Sequence, residues 1–375
     1  MSPPARRLLA VSHPAVLPVN QEVYRELHRR GWEVTLVVPA RWRHGYSQGS
    51  FAPVALPGLE GSLRPVRVAM AGLPQRHVYL AGAHRLLSRA KPDVVFLEAE
   101  PFALAAAQWG WACARAGIPF GLQCYENIDR ALPAPIRQLR ALVLARASFV
   151  AARSQSAGEL ARSWGARGEV GLAPPAVPDW PARSAAQAPA PAERARPFTV
   201  GYAGRLVASK GLPDLLAAVR RLDAPVELVL IGQGELRGQL ENQQIPGSQV
   251  RVIDDLRHDQ MAQGYAQLDV LVLPSHTQPT WKEQFGRVLV EALWCGVPVV
   301  GSDSGEIPWV IGLTGGGVTF PEGDVPALAA ALGELRREPQ RRLDLALAGR
   351  AAVERLFSVP AATDALEALL TGAIA

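Results

Sequence analysis

The 375-residue chain is poor in cysteine and in charge and has no long apolar run, and each shortage excludes something. Cys113, Cys124 and Cys295 are too few for a disulfide framework, and no CxxC pair offers a zinc site. They read as small buried hydrophobes of a protein in the reducing cytoplasm. No stretch of about 18 apolar residues occurs, so a membrane-spanning helix is not expected. The first residues, Arg6 and Arg7 before a short apolar stretch cut by His13 and Pro14, read as a strand rather than a signal peptide. Charged residues are 19% of the chain, below the ~25% of an average globular protein. With 49% apolar residues beside them, a wholly disordered chain is excluded.

What charge there is lies unevenly. Residues 1–197 hold 24 Lys/Arg and 13 Asp/Glu, net +11; residues 198–375 hold 15 and 21, net −6, which together give the +5 of the whole. A basic half suggests an anionic partner. Nucleic acid suits it poorly, because no binding motif accompanies the arginines.

Short apolar runs alternate with helical stretches throughout. Arg7–Ser12, Glu33–Pro39, Pro92–Leu97, Pro119–Gln123 and Ser148–Ala152 read as strands, with a helix over Gln21–Arg30. Trp180–Pro197 is Ala/Pro-rich without apolar periodicity and reads as a linker. The alternation then restarts with strands at Phe198–Ala203, Glu227–Gly232, Gln249–Ile253, Val270–Pro274 and Pro298–Ser302, and helices over Leu212–Leu222 and Phe285–Gly296. This predicts an α/β protein of two Rossmann-like, doubly wound domains facing a central cleft, with ligands at the carboxyl ends of the strands. The expected boundaries are residues 1–179, a linker at 180–197, a second domain at 198–359 and a terminal helix at 360–375.

The richest chemistry lies between Pro274 and Gly312. Glu283 and Glu291 are eight positions apart, two helical turns, with Glu283 in the loop leading into the helix. A helix start near Gly286 offers free N–H groups and a positive dipole to an anion, while the two carboxylates accept from hydroxyls. Sugar hydroxyls beside a phosphate match that set, whereas a spaced pair alone reads as two solvated glutamates. The pair is not alone. Gly201–Arg205 (GYAGR) ends a strand in glycines, and Lys210-Gly211 follows; Arg205 supplies a fork and Lys210 a point charge for phosphate. Gly232-Gln233-Gly234 adds another tight strand-end turn, and Ser302–Ile307 (SDSGEI) a glycine nest.

The succession GYAGRLVASKG, LVLIGQGEL, VLVLPS, EQFGRVLVEALWCGVPVV and SDSGEIPWVIG resembles the family 4 (group 1) glycosyltransferases of the GT-B fold. The resemblance is strong over residues 198–325 and looser through the N-terminal half. It implies a retaining, metal-independent transferase moving a sugar from a UDP- or GDP-linked donor to a hydroxyl acceptor, with no further cofactor. Arg205 and Lys210 match the basic pair on the donor diphosphate, with Gly204 and Gly232 at the strand ends beside it. Glu283 matches the glutamate on the donor sugar hydroxyls, and Glu291 the one on the ribose. Phe285 and Gly286 fall where backbone N–H groups meet sugar or phosphate, with Arg287 beside them, and Leu256 near the base. Polysaccharide, glycolipid or other glycoconjugate synthesis is the implied setting. No Asp-x-Asp motif is present; Asp254-Asp255 is an adjacent pair of the kind that sits solvated at strand ends.

The N-terminal half departs from the family twice. Many members carry a Gly-Gly loop after the first strand; here Ser12 to Asn20 contains none, and His13 is the residue offered to the acceptor. Many carry a histidine after a strand beginning Ile-Pro. Here Ile118-Pro119 leads to Tyr125, Glu126 and Asn127, which take its place as acceptor-side candidates, Glu126 as a proton acceptor or else as part of a capping turn. Glu98 and Glu100 end the preceding strand, as acceptor ligands or as structural groups. Basic residues gather at Arg41–Tyr46, between Arg64 and Arg89, and in Pro135–Arg153 with Arg137, Arg140 and Arg146. For the last, a core-facing helix with a solvated basic face is preferred over contact with an anionic membrane at its inner face. Two other activities stay open: a non-catalytic nucleotide-sugar binder, and another GT-B reaction such as sugar-nucleotide epimerisation.

Overall fold

The computed structural model describes residues 5–43, 50–180, 197–254 and 256–375. Most of the expected linker, 181–196, lies outside the described residues, as do His44, Gly45 and Tyr46 of the first basic cluster and Asp255. The chain forms two compact units, one of Met1–Ala176 with Val359–Ala375, the other of Val177–Ser358.

The first unit is built on strands β1 (Arg7–Ser12), β2 (Glu33–Pro39), β3 (Leu63–Val66), β6 (Val94–Glu98), β7 (Phe120–Cys124), β8 (Phe149–Ala152) and β9 (Glu169–Leu172). A small antiparallel pair, β4 (Val68–Ala69) and β5 (Val78–Tyr79), stands apart from them. The seven strands are parallel in the order β3-β2-β1-β6-β7-β8-β9. Central strands such as VVFLE and FVAA are buried almost throughout, because helices cover both faces. The winding reverses between β1 and β6, where Ser12 stands opposite Glu98. Ligands of such sheets bind at that switch point.

The second unit repeats the plan with β10 (Phe198–Ala203), β11 (Val226–Ile231), β12 (Gln249–Ile253), β13 (Val270–Leu273), β14 (Val299–Ser302) and β15 (Gly317–Phe320). They are parallel in the order β12-β11-β10-β13-β14-β15, with the switch between β10 and β13. One contiguous core, including Tyr202, Leu228, Val272, Leu289 and Phe357, underlies it.

The last helix, Val359–Ile374, belongs to the first unit. Leu366, Leu369 and Leu370 join Phe96 and Phe149 in its core, and Arg30 reaches Asp364 at 2.5 Å and Glu367 at 2.9 Å.

Helices are shorter than the sequence reading, at Glu22–Arg29, Leu212–Val219 and Arg287–Trp294, each losing its frayed ends. Where a Gly-Gly loop was missing after β1, two short 3-10 turns, Pro14–Val16 and Pro18–Asn20, carry the chain; each begins on a proline, whose fixed φ suits a first turn. In the basic stretch the helix spans Ala134–Leu144. Arg137 and Arg146 are exposed, but Arg140 is buried, 4.1 Å from the Trp164 ring centroid and 3.5 Å from Asp129. Arg153 is buried as well. The basic face is therefore only partly solvated, and two of its arginines are structural. The three cysteines are buried and form no disulfide, and burial pushes Cys113 up to about 12.

Candidate active site

The second unit gathers its candidate residues at the carboxyl ends of β10 and β13. Gly204 N–H donates to Ile231 at 2.9 Å and Gly232 N–H to Ile253 at 2.8 Å, so each ladder runs one step past its strand. Arg205 follows, its carbonyl accepting from the Tyr202 hydroxyl at 2.7 Å. Burial, then the Glu283 carboxylate, keep that phenol neutral, with Arg205 acting the other way. The chain next makes a 3-10 turn, Ala208–Lys210, that lies directly on the loop after β13. Gly211 permits this: its φ is +66°, and a Cβ there would stand 1.8 Å from the Pro274 carbonyl oxygen. His276 ties the turn through its N–H to Ser209 at 2.9 Å, and the helix that follows it through its Nε2 to Asp214 at 2.6 Å.

These ties deliver Lys210 to Glu283. The ammonium donates to Glu283 Oε2 at 2.6 Å and stands 4.5 Å from the Trp281 ring centroid. Ser275 Oγ donates to the same oxygen at 2.9 Å. The side chains of Lys210 and Glu283 are only 12% and 11% exposed, so the pair is shielded from bulk water. The loop after β14 holds Glu283 from behind. Glu306 N–H donates to its carbonyl at 3.0 Å, and Gly305, with φ +58°, lies where a Cβ would come within 2.1 Å of that carbonyl. Ser302 and Ser304 bind Ser275 and Thr277 across the two loops.

Glu291 occupies a separate network two turns along the helix. It accepts from Tyr265 Oη at 2.7 Å and meets Arg287 Nε at 2.9 Å. Burial raises its carboxyl above the ordinary glutamate value, against the pull of Arg287 and Tyr265. Gly286 caps the helix that carries it. The Phe285 side chain is core, edge-on to Trp309 and Phe357, so only its backbone is available to a ligand. Leu256 packs partly buried against the core of this unit. Asp254 stands just past the end of β12, partly exposed and ion-paired with Arg237. Among the described residues no cluster of His, Cys, Asp or Glu could hold a metal ion.

In the first unit the structure redistributes the acceptor-side candidates. Glu98 accepts from Ser12 Oγ at 2.5 Å, Tyr24 Oη at 3.0 Å and Arg153 at 3.3 Å, so it clasps the end of its strand to its neighbours. Glu126 is buried, turned back onto the N–H groups of Asn127 and Ile128 and paired with Arg130 at 3.0 Å. The next helix starts at Ala134 with Pro133 at its N-cap, so Glu126 closes a local turn and caps no helix. Asn127 is buried beside it, and the Tyr125 ring lies 5.6 Å from the Arg153 guanidinium. His13 is half-buried, its ring 4.9 Å from Trp42 and 5.3 Å from His77.

The perturbed carboxyl here is Glu100. It accepts from the Tyr125 N–H at 2.8 Å, its other oxygen is buried without a partner, and burial raises it to about 7. A carboxyl raised from 4.5 to about 7 on folding holds a proton the unfolded chain has released. Stability is then full below pH 4.5 and falls as pH rises to 7, by roughly 2–3 kcal/mol. Glu100→Gln should flatten that slope, melting higher than wild type at pH 8 and like it at pH 4.5. Parallel melting curves across that range would remove the claim.

Sequence reasoning missed Ser275, Trp281 and the His276–Asp214 pair. Ser275 and His276 directly follow an apolar strand already read as ending at a ligand edge, which was the available signal; Asp214 had none, being 62 positions from its partner.

Comparison with known proteins places these features in a family. A model described as Glycosyl transferase 4-like domain matches residues 16–176, and one described as Glycosyl transferases group 1 matches residues 197–338. A GDP-mannose-dependent monoacylated alpha-(1-6)-phosphatidylinositol monomannoside mannosyltransferase of Corynebacterium glutamicum is 32% identical over 160 residues, 41% of this chain and 42% of that protein. The chain thus matches less than half the length of that curated relative. Among solved structures, sucrose-phosphate synthase from Thermosynechococcus elongatus superposes with a TM-score of 0.69 at 18% identity, covering 97% of this chain and 98% of that one. Anabaena HepE in complex with UDP does so with a TM-score of 0.69 at 18% identity, covering 98% and 99%. The chain belongs to the group 1 glycosyltransferases and has their GT-B fold.

Proposed function

We propose that this protein moves a sugar from a nucleotide-sugar donor to a hydroxyl acceptor, with retention of anomeric configuration and without a metal at the diphosphate. The observation that carries the reading is the shielded Lys210–Glu283 pair at the β10/β13 switch point. Lys210 and Arg205 supply the positive charge that a departing nucleoside diphosphate needs, which is electrostatic stabilisation of the transition state. Glu283 accepts from the sugar hydroxyls once the diphosphate takes its share of the ammonium. Glu291, already fixed by Tyr265 and Arg287, has lone pairs left for ribose hydroxyls. Glu126 and Glu98 are both engaged by the protein, and the raised Glu100 has its second oxygen buried, so none of the three carboxyls stands open to an acceptor. This fits front-face displacement, in which the leaving phosphate oxygen takes the acceptor's proton.

The same observation favours a second reading, a nucleotide-sugar binder without turnover. A thermal-shift screen of UDP, GDP and their sugar conjugates separates the two readings from neither. The correct nucleotide at 100 times its Kd should stabilise the protein by about 2.7 kcal/mol, and Lys210→Ala should abolish the shift. A relative's name specifies GDP-mannose and a structural neighbour holds UDP, so both bases belong in the screen. Release of free nucleotide on adding an acceptor panel supports transfer; a shift without release supports binding alone; no shift with any nucleotide refutes both.

A further inference from the structure

The small β4–β5 hairpin of the first unit carries an unusual surface. Five of the ten exposed large apolar side chains among the described residues lie between residues 51 and 80: Phe51, Val54, Met70, Leu73 and Leu80. The same part of the chain is strongly basic. From residue 41 to residue 91 there are eight Arg or Lys and a single carboxylate, Glu60.

The hairpin has two unlike sides. Its inner side is fixed. His77 and Tyr79 are buried, their rings 5.0 Å from Trp42 and 5.8 Å from Trp109. Gln108 clamps the Tyr79 backbone with two bonds of 2.9 and 2.7 Å, and Leu104 N–H donates to Gln75 at 3.0 Å. Away from these contacts Met70, Leu73 and Leu80 are exposed, at 45%, 48% and 62%, and Arg67 and Arg76, close to them in the chain, are exposed too. The exposure comes from a braced element and not from a loose end. Met70 is moreover one of only two non-glycine residues with positive φ among those described, at 55°, a conformation unfavourable for any residue with a side chain. The turn Met70–Leu73, closed by a 3.1 Å bond, holds it there with its thioether side chain outward.

We propose that this outer face docks on an anionic lipid bilayer, with Met70, Leu73 and Leu80 entering the interface and Arg67 and Arg76 meeting the headgroup phosphates. The chemistry selects this occupant. A soluble polyanion, such as an acidic glycan, would use the arginines but leave the aliphatic side chains in water. A neutral apolar partner would leave the arginines unmatched. An anionic bilayer satisfies both. The basic helix Ala134–Leu144 is the poorer candidate, because its Arg140 is buried under Trp164. The proposal does not depend on the sugar-transfer reading, since the hairpin lies outside the donor residues.

The test is flotation of the full chain with vesicles of phosphatidylcholine and phosphatidylglycerol in equal parts, against vesicles of phosphatidylcholine alone. Wild type should float with the first only, and less as salt rises. Arg67→Gln with Arg76→Gln should weaken binding about 25-fold, about fivefold for each cation removed. Leu73→Ser with Leu80→Ser should weaken it at least tenfold even at low salt, while retention on immobilised dextran sulfate stays unchanged. Met70→Gly relieves the backbone while deleting the side chain, so it should float less yet melt no lower than wild type; this guards against loss of folding as the cause. Nucleotide-induced thermal shifts should be the same in all variants. Equal flotation with both vesicle types, no flotation at low salt, or a leucine variant that floats like wild type would overturn the proposal, the last in favour of a polyanion site.

Discussion

Glu283→Ala is expected to lower kcat/KM for sugar transfer by about 10²–10³, the scale set by removing a single group that stabilises developing charge. The loss has a second component. The mutation leaves the Lys210 ammonium shielded, with Trp281 and the Ser275 hydroxyl around it and no anion. Breaking one side of such a pair costs about 3–5 kcal/mol, far more than an exposed pair is worth. The two components separate in a double-mutant cycle. Lys210→Met with Glu283→Ala should recover most of the melting temperature lost by Glu283→Ala alone, because the stranded charge is gone, yet recover no activity. A double variant whose destabilisation equals the sum of the singles would show that the pair is not coupled. A Glu283→Ala enzyme turning over like wild type would end the catalytic assignment.

A comparably large effect on stability should come from Gly211→Ala. One methyl group is added, but it meets the Pro274 carbonyl, a backbone atom at the end of β13 that has no cheap way to yield. The positive φ adds its own cost. Together these should destabilise the second unit by about 3 kcal/mol or more. They should also lift the Lys210 turn off the β13 loop and remove nucleotide binding. Gly296→Ala is the control: its φ is +74°, with nothing within 4 Å of an added Cβ, so only the conformational cost of about 1 kcal/mol applies. If the two substitutions lower the melting temperature equally, close packing at Gly211 is not what holds the turn.

Much of the fold was legible because buried parallel strands are written as apolar runs. Arg7–Ser12, Glu33–Pro39, Phe198–Ala203 and Gln249–Ile253 are read from sequence with their observed bounds. The strands that escaped are edge or two-residue pieces. LRPV carries a proline and two exposed residues, GVTF begins on glycine, and Val68–Ala69 with Val78–Tyr79 is too short for any period. At the candidate site, residue types were legible but their pairing was not. Glu283 and Lys210 lie 73 positions apart, and nothing in either segment says that the ammonium meets the carboxylate in this structure. On the acceptor side the pairing was hidden for a related reason. Glu98 and Glu126 stand at strand ends, as ligands do, and only the fold brings up the arginines that occupy them.

The helix Val359–Ile374 has a consequence for how the protein is made. It supplies Leu366, Leu369 and Leu370 to the first unit, and its Asp364 and Glu367 engage Arg30. Residues 1–176 leave the ribosome first, but their core lacks a wall until the last helix has been translated. The second unit, one uninterrupted segment, needs nothing that comes after it and can fold while the nascent chain is still growing. The half synthesised first is thus the half completed last, with an apolar sheet face waiting through the translation of some 180 intervening residues.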